Sequence, residues 1–352
     1  MIKNLLKDFK TTDLKIFKEE FAEFLPENIF DSHIHLWKKS FINYEIPEER
    51  QKQNPFLDPG IIEGFTIEDF NYFSEKLFPG KNYRGLFFAL PLKEIDLNKA
   101  NKYISDVCKK NESYGLFVPD PSLKKIPENF FEDKFVGFKP YPDLVDFKAP
   151  EDFSKLDIDV SIFDFISKEV LEFSNEYGLI LLIHIPRKGR LNDKRNIEEL
   201  STIGKKYKNI KMILAHAGRS YCYEDIRNSI QYIKDIKNLY VDTAMINNFS
   251  VNKTLIKMLG SEKLLFGTDL VIALLKGKNI EINNRHFFVT KEPKLWSLSS
   301  STMNLDFTYF IYEIIRAIKL AAEELNLNKI QINNIFYSNI NLMIKEIVNR
   351  IK

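Results

Sequence analysis

The stretch Ile29-Phe30-Asp31-Ser32-His33-Ile34-His35-Leu36 combines an apolar run with two histidines that are two residues apart. Successive side chains of a β-strand point to opposite faces, so His33 and His35 project to the same side. The apolar residues around them predict a buried strand, and seven more runs of this kind follow along the chain. The eight predicted strands span residues 29–36, 83–90, 113–118, 135–139, 179–185, 212–216, 239–243 and 264–268.

Helical patterns separate most of these strands, and this alternation predicts a parallel sheet in an α/β fold. The predicted helices span residues 96–110, 162–177, 223–235, 251–259, 307–325 and 339–351. Eight strands favour a closed (β/α)8 TIM barrel, with a doubly wound open sheet as the alternative. We expect one domain over residues 1–352, in which 1–28 form a helical extension and 29–345 the barrel.

Two insertions interrupt this pattern, at residues 38–81 after strand one and 270–303 after strand eight. In a barrel both insertions leave from the carboxyl-terminal rim, where the covers of active sites are built.

The composition excludes several classes of protein. The chain of 352 residues has 51 basic and 49 acidic residues, so no overall field attracts nucleic acid. No apolar run approaches the roughly 18 residues of a membrane span, and the amino terminus lacks the long apolar segment of a signal peptide. Two cysteines are too few for a disulfide framework and indicate the reducing cytoplasm. A small-molecule substrate is the expected partner, and assembly into a homo-oligomer stays open.

Four of the five histidines lie at the carboxyl ends of predicted strands one, five and six. The strand ends of a barrel meet at one face, so His33, His35 and His184 should converge there with Asp269, which ends strand eight. Three nitrogens and one carboxylate oxygen suit one divalent metal, Zn²⁺ first and Mn²⁺, Fe²⁺ or Co²⁺ as alternatives. A single histidine pair on a strand is more often incidental, His216 alone could be a core histidine, and Asp269 alone a helix cap. The combination on these strands favours the metal site.

These residues, in this order, resemble the amidohydrolase superfamily and, within it, amidohydrolase family 2. The resemblance spans residues 29–345 and rests on strand-end motifs, which are Phe30-Asp31-Ser32-His33-Ile34-His35-Leu36, Val136-Gly137-Phe138-Lys139-Pro140-Tyr141, Leu182-Ile183-His184-Ile185-Pro186, Leu214-Ala215-His216-Ala217-Gly218-Arg219, Leu265-Phe266-Gly267-Thr268-Asp269 and Asn334-Ile335-Phe336-Tyr337-Ser338-Asn339.

The resemblance implies a mechanism. His33, His35 and His184 would hold the metal, and Asp269 would be both a weak ligand and the general base for a water activated by the metal. His216 would hydrogen-bond that water or polarise a substrate carbonyl.

Lys139, at the end of strand four, has three interpretations. It could contact a substrate carboxylate, bridge two metals as a carboxylated lysine, or form a structural ion pair. We expect substrate contact and one metal per chain.

Basic residues follow strands five and six, and an anionic substrate is one explanation for them. Arg187 and Arg219 are the best candidates, because each lies three residues beyond a site histidine, and Tyr141 is placed to line the same mouth. A solvated loop is the competing interpretation of the basic residues. His286 and Trp296 lie in the insertion after strand eight and could cover the site, but we expect them only to pack there.

Three functions compete at this point. Hydrolysis of a C–O or C–N bond in a lactone, ester or amide is the leading hypothesis. Non-oxidative decarboxylation of an unsaturated or aromatic acid is the second, because relatives in this branch perform it with nearly the same ligands. A non-catalytic metal-binding barrel is the third, since a fold does not guarantee catalysis.

Overall fold

Strand β1, Asn28–Lys38, contains the two histidines, and its interior positions are all buried. The structure is a computed structural model, which describes residues 6–7, 9–43, 45–145, 160–299 and 306–352. The other strands are β2 (Gly64–Phe65), β3 (Asn82–Ala89), β4 (Gly115–Phe117), β5 (Phe135–Phe138), β6 (Ile180–Ile183), β7 (Lys211–Leu214), β8 (Leu239–Asp242), β9 (Leu264–Leu265), β10 (Gly277–Ile282) and β11 (Arg285–Thr290).

The main sheet has the order β2-β1-β3-β4-β5-β6-β7-β8-β9, and every pair in it is parallel except β1 with β2. The sheet curls until its last strand reaches its first. There the Ser32 amide donates to the Phe266 carbonyl at 2.9 Å, and the Asp269 amide donates to the His33 carbonyl at 3.0 Å. The eight predicted strands and their closure into a TIM barrel are therefore confirmed, with ends shifted by no more than three residues.

The helices lie between the strands as the alternation predicted. They are α1 (Thr11–Ile16), α2 (Glu48–Gln53), α3 (Ile67–Leu77), α4 (Leu97–Lys110), α5 (Ile162–Phe165), α6 (Lys168–Tyr177), α7 (Lys194–Lys206), α8 (Tyr223–Ile226), α9 (Ile230–Ile233), α10 (Phe249–Leu259), α11 (Phe310–Glu324), α12 (Lys329–Asn333) and α13 (Asn339–Ile351). None of the helices in the described ranges is both long and apolar enough to cross a bilayer.

Two predicted helices are each divided in the structure. The prediction of one helix over 162–177 is wrong, because Ser167 adopts an extended backbone and its hydroxyl accepts the Val170 amide, which begins α6. The predicted end of that helix is confirmed, with Gly178 in the left-handed conformation at φ 66°. The predicted helix over 223–235 is likewise two short helices, α8 and α9.

The amino-terminal extension packs on the barrel, although residues 1–5 and 8 lie outside the described residues. Helix α1 continues into a π-helical turn, Phe17–Phe21, whose two phenylalanines are buried. Asp13 and Lys276 form a nearly buried ion pair at 2.8 Å, which ties the extension to the segment after strand β9.

The two insertions carry structure of their own at the carboxyl-terminal rim. The first, 38–81, contains α2, β2 and α3. The described part of the second contains a hairpin of β10 and β11. Asn283 and Asn284 turn this hairpin with φ values of 50° and 63°, the pair of left-handed residues that a tight two-residue turn needs.

Candidate metal centre

Strand β1 is held in place by the carboxylate of Asp31, two residues before His33. The buried Asp31 side chain accepts hydrogen bonds from the amides of His33 at 3.0 Å and Thr268 at 3.1 Å, and from the Tyr83 hydroxyl at 2.9 Å. Burial raises the pKa of Asp31 to about 7, and these hydrogen bonds oppose that rise. Asp31 thus fastens β1 to the residue that immediately precedes Asp269.

Asp269 stands directly against the two histidines of β1. Its Oδ1 lies 3.4 Å from His33 Nε2 and 3.2 Å from His35 Nε2. Burial alone would raise the pKa of this carboxyl, but the neighbouring imidazoles of His216, His35 and His33 outweigh burial and hold the pKa well below its usual range. Asp269 is therefore ionised at neutral pH.

His216 enters the site from an unusual turn after β7. Four consecutive residues, His216 to Arg219, have left-handed φ values of 54°, 47°, 69° and 60°, and only one of them is glycine. Such residues cost on the order of 1 kcal/mol or more each, so neighbouring contacts must hold them. The His216 amide donates to Asp242 Oδ1 at 2.6 Å, and the Ser220 amide closes the turn on the His216 carbonyl at 3.0 Å.

Asp242, at the end of β8, is a site residue that the sequence analysis missed. Its Oδ2 lies 2.8 Å from His33 Nδ1, and its Oδ1 also accepts the Ala244 amide at 3.2 Å. One carboxylate thus orients His33 and holds the backbone of His216. The signal was present in the sequence, because Asp242 is an acidic residue at the end of an otherwise apolar strand.

The hydrogen bonds assign the same tautomer to two imidazoles. The Nδ1 atoms of His33 and His216 face the Asp242 carboxylate at 2.8 Å and the Ala244 carbonyl at 3.1 Å, respectively. These oxygens only accept, so each Nδ1 carries the proton and each Nε2 keeps a lone pair. His35 lies between two acceptors, the Ala89 carbonyl at 3.4 Å from Nδ1 and the Asp269 carboxylate at 3.2 Å from Nε2.

Burial keeps these imidazoles neutral, which makes the cluster suitable for a cation. Desolvation lowers the pKa of His33 well below its ordinary value, lowers that of His35, and lowers that of His216 to about 4. The His33 Nε2 lone pair would then face the ionised Asp269 carboxylate at 3.4 Å with no proton between them. A bound metal ion removes that repulsion.

The described residues contain one group that could hold a metal by proximity alone. His33, His216 and Asp269 each offer a ligand atom, and these atoms all lie within 4.8 Å of one another. His35 joins the group through its contact with Asp269. The His184 ring lies 5.2 Å from the His216 ring and 4.9 Å from the Tyr141 ring, and its Nδ1 has no hydrogen-bond partner among the described residues. All five predicted metal and catalytic residues therefore lie together.

Lys139 extends from the end of β5 into the same space. Its ammonium group is fully buried, and within the described ranges it has no hydrogen-bond partner. It lies 5.5 Å from the centre of the Phe88 ring and 5.6 Å from that of Tyr141. Burial lowers the pKa of Lys139 to about 8, although Asp242 and Asp269 oppose that change. Gly137 lets β5 approach β6 here, because a Cβ atom would stand 2.1 Å from the Ile180 carbonyl oxygen.

The cluster forms the floor of a cavity of about 250 Å³. Lys139, Tyr141, Arg219 and Tyr221 line its wall, and His286 lines its mouth. The Arg219 guanidinium donates to the carbonyls of Pro186 at 3.1 Å and Arg187 at 3.4 Å, which fixes its position without neutralising its charge.

Arg187 lies elsewhere, outside the residues that line the cavity. Its guanidinium is held by both carboxylate oxygens of Glu199 at 3.0 and 2.7 Å and by Asn196 at 3.1 Å. Arg190, which the sequence analysis did not single out, lines the cavity instead. Trp296 packs against the Phe288 ring at 5.6 Å and is also outside the lining residues.

A larger groove of about 710 Å³ lies near the opposite ends of the strands, where the starts of β3 and β4 meet α13. Its lining contains no histidine and one acid, Glu112, so it lacks the groups that metal-dependent chemistry requires. The smaller cavity above the histidines is the candidate site.

Comparison with solved structures identifies the same fold in several proteins. An amidohydrolase from Bifidobacterium longum subsp. infantis has a TM-score of 0.52 at 12% identity, over 91% of this chain and 99% of its own. An amidohydrolase from Burkholderia multivorans with bound HEPES has a TM-score of 0.55 at 11% identity, over 90% of this chain and 99% of its own. The 5-carboxyvanillate decarboxylase from Sphingomonas paucimobilis has a TM-score of 0.56 at 11% identity, over 91% of this chain and 99% of its own. These identities are so low that the similarity establishes the fold alone.

Comparison by sequence identifies the family. No curated protein matches the chain. The family model Amidohydro_2, described as Amidohydrolase, matches residues 98–294, which is more than half of the chain. The chain therefore belongs to amidohydrolase family 2, a metal-dependent family whose members include hydrolases and decarboxylases.

Proposed function

We propose that the protein is a metal-dependent hydrolase that cleaves a C–O or C–N bond in a small anionic lactone, ester or amide. One observation carries the proposal: neutral imidazole lone pairs and an ionised carboxylate converge on the floor of a cavity whose wall offers cationic and hydroxyl donors. The floor suits a cation, and the wall suits an anion.

His33, His35, His184 and Asp269 would hold one divalent metal, for which Zn²⁺ is the first choice by donor type. The metal supplies Lewis acidity, which acidifies water and polarises a carbonyl group. Asp269 is ionised and close to the imidazoles, so it can accept a proton from the attacking water and deliver it to the leaving group. The four ligands would thereby position the attacking water, and Asp269 would carry its proton to the leaving group.

His216 has a narrower role than the sequence left open. Its Nδ1 proton is directed to the Ala244 carbonyl, so the neutral ring offers only an acceptor at Nε2. It can therefore orient a water by accepting a hydrogen bond, but it cannot donate one to a substrate carbonyl without being protonated.

Metal titration of two variants separates the ligand from its neighbour. We expect His184→Ala to lower metal affinity more than His216→Ala, whereas His216→Ala should lower kcat at saturating metal. The reverse order would make His216 the ligand. Two metals per chain, or a carboxylated Lys139 detected by mass spectrometry, would contradict the single-metal site.

We infer that Arg219, Lys139 and Tyr141 bind the anionic group of the substrate, because all three line the cavity. An ion-paired hydrogen bond contributes about 1.5–3 kcal/mol, so Arg219→Ala should raise KM for an anionic substrate roughly 10- to 100-fold. KM for a neutral analogue should change little. Lys188→Ala is the matched control, because Lys188 is an exposed cation on the neighbouring loop, which follows β6. Equal effects on both substrates would exclude anion recognition by Arg219.

The reaction itself is tested with a panel of small anionic lactones, esters, amides and aromatic acids, using metal-loaded protein and Asp269→Asn as the inactive control. Formation of a ring-opened or cleaved product supports hydrolysis. Release of carbon dioxide without such a product would assign the protein to the decarboxylases of the family. Full metal occupancy with no turnover of any compound would favour a non-catalytic barrel.

A further inference from the structure

The hairpin of β10 and β11 contributes a histidine to the mouth of the cavity. Alternate residues of β11 face opposite sides, and His286 and Phe288 both belong to the inner side that lines the cavity. Phe287, between them, is exposed on the outer side. The register pairs Glu281 with His286 across the hairpin, which sets the position of the imidazole.

The contact with Arg190 determines which nitrogen of His286 carries the proton. Arg190 Nη1 lies 3.0 Å from His286 Nδ1. A guanidinium group donates hydrogen bonds and cannot accept them, so Nδ1 must be the acceptor. His286 is therefore neutral with its proton on Nε2, the opposite tautomer from those of His33 and His216.

The Asp225 carboxylate holds Arg190 in the position that contacts His286. Asp225 Oδ2 accepts from Arg190 Nη1 at 2.8 Å and from the amides of Tyr221 at 3.1 Å and Cys222 at 3.2 Å. The Tyr221 ring lies 4.7 Å from the His286 ring, and Arg190 Cζ lies 5.5 Å from the centre of the Tyr221 ring. Asp225 and Arg190 thus act as positioning residues for His286.

The Nε2–H of His286 has no hydrogen-bond partner among the described residues. The imidazole ring also packs against the rings of Tyr221 at 4.7 Å and Phe288 at 5.6 Å. A donor that is fixed in orientation, unpaired and located at the mouth of a cavity is available to a ligand.

The distance from the histidine cluster limits the size of the ligand. The Tyr221 ring lies 6.1 Å from the His216 ring and 4.7 Å from the His286 ring, so both imidazoles border one part of the cavity. A substrate the size of one substituted ring can therefore reach both the cluster and His286. The nearby guanidinium groups of Arg190 and Arg219 favour an anionic oxygen at the outer end.

We propose that His286 is a specificity residue that donates its Nε2–H to a second carboxylate, remote from the metal, on a substrate built around one small ring. This inference rests on the proposed function for its reaction, but it concerns binding and can be tested without turnover.

The test is calorimetric binding of two rigid probes, benzene-1,3-dicarboxylate and benzoate, to the metal-loaded protein. A hydrogen bond to a charged group should give the dicarboxylate an advantage of roughly 10- to 100-fold over benzoate. His286→Gln keeps a donor close to the Nε2 position and should retain the preference. His286→Asn keeps an acceptor for Arg190 but lacks the outer donor, so it should lose the preference while binding benzoate as before.

Absence of a preference in the wild type, or its survival in His286→Asn, would overturn the proposal. A second measurement needs no variant: long-range ¹H–¹⁵N spectra should show the proton of His286 on Nε2, and a proton on Nδ1 would also overturn it. A protein that binds the dicarboxylate with the expected preference but turns over nothing would contradict the proposed function alone.

Discussion

Replacement of Asp242 by asparagine should weaken metal binding while leaving the fold nearly intact. Both backbone donors to this side chain, the amides of His216 and Ala244, contact the same oxygen, Oδ1. An asparagine can keep that oxygen in place, and its amide nitrogen then replaces Oδ2 at 2.8 Å from His33 Nδ1. Two donors cannot face each other, so the His33 proton should move to Nε2 and point at the metal position.

The expected loss follows from this change of tautomer. Removing the partner that orients a metal-binding histidine typically costs 10- to 100-fold in affinity, which is about 1.4–2.7 kcal/mol. The free energy of unfolding of the metal-free protein should fall by only about 1 kcal/mol, because the hydrogen bond to His33 is reversed in direction and not lost.

The assay is competition for Zn²⁺ with a chromophoric chelator, accompanied by urea unfolding of the metal-free protein. Asp13→Asn is the matched control. Asp13 is an equally buried carboxylate, but it pairs with Lys276 outside the cavity, so its replacement should lower stability and leave metal affinity unchanged. A folded Asp242→Asn protein that binds Zn²⁺ as tightly as the wild type would refute the role given to Asp242.

Three further predictions concern the metal, the first insertion and pH. Removal of the metal by a chelator should lower the Tm measured by calorimetry. Metal added back at 1,000 times its Kd should restore about 4 kcal/mol to the free energy of unfolding. An unchanged Tm would argue against a native metal site. Arg50→Ala should make the α2 segment more sensitive to proteolysis than the control variant Lys52→Ala does. Arg50 binds Glu94 at 2.7 Å and Asp143 at 2.6 Å, so its loss leaves the buried Glu94 carboxylate unpaired. Burial, and secondarily Arg190, lower the pKa of His286 from 6.5 to about 4. Between these two pH values the unfolded chain therefore binds more protons at His286 than the folded protein does. The free energy of unfolding should therefore fall as pH falls from about 6.5 to about 4, by about 1.4 kcal/mol per pKa unit, and His286→Gln should lack this contribution in urea titrations.

Much of the fold could be predicted because its signals are local. Apolar runs of four to eight residues mark buried strands wherever they occur, and a glycine such as Gly178 ends a helix by its own conformational freedom. The errors were local as well: Ser167 begins a new helix in the middle of a continuous apolar pattern, since its hydroxyl competes for a backbone amide.

The position of the histidine and aspartate cluster followed from topology and needed no side-chain detail. The carboxyl ends of parallel strands meet at one face of a barrel, so histidines at the ends of strands one, five and six had to be neighbours of Asp269. Topology gives proximity only, and proximity does not determine the role of each group.

The sequence by itself therefore determined the barrel and the face at which His33, His35, His184, His216 and Asp269 meet. Only the tertiary structure decided the protons of His33, His216 and His286, the cavity position of Arg190 in place of Arg187, and the reach of His286 to the mouth of the cavity. Asp242 and His33 are 209 residues apart, and Arg190 and His286 are 96 residues apart. Contacts over such separations depend on loop conformations, such as the left-handed turn after β7, that have no local signature in the residues they bring together.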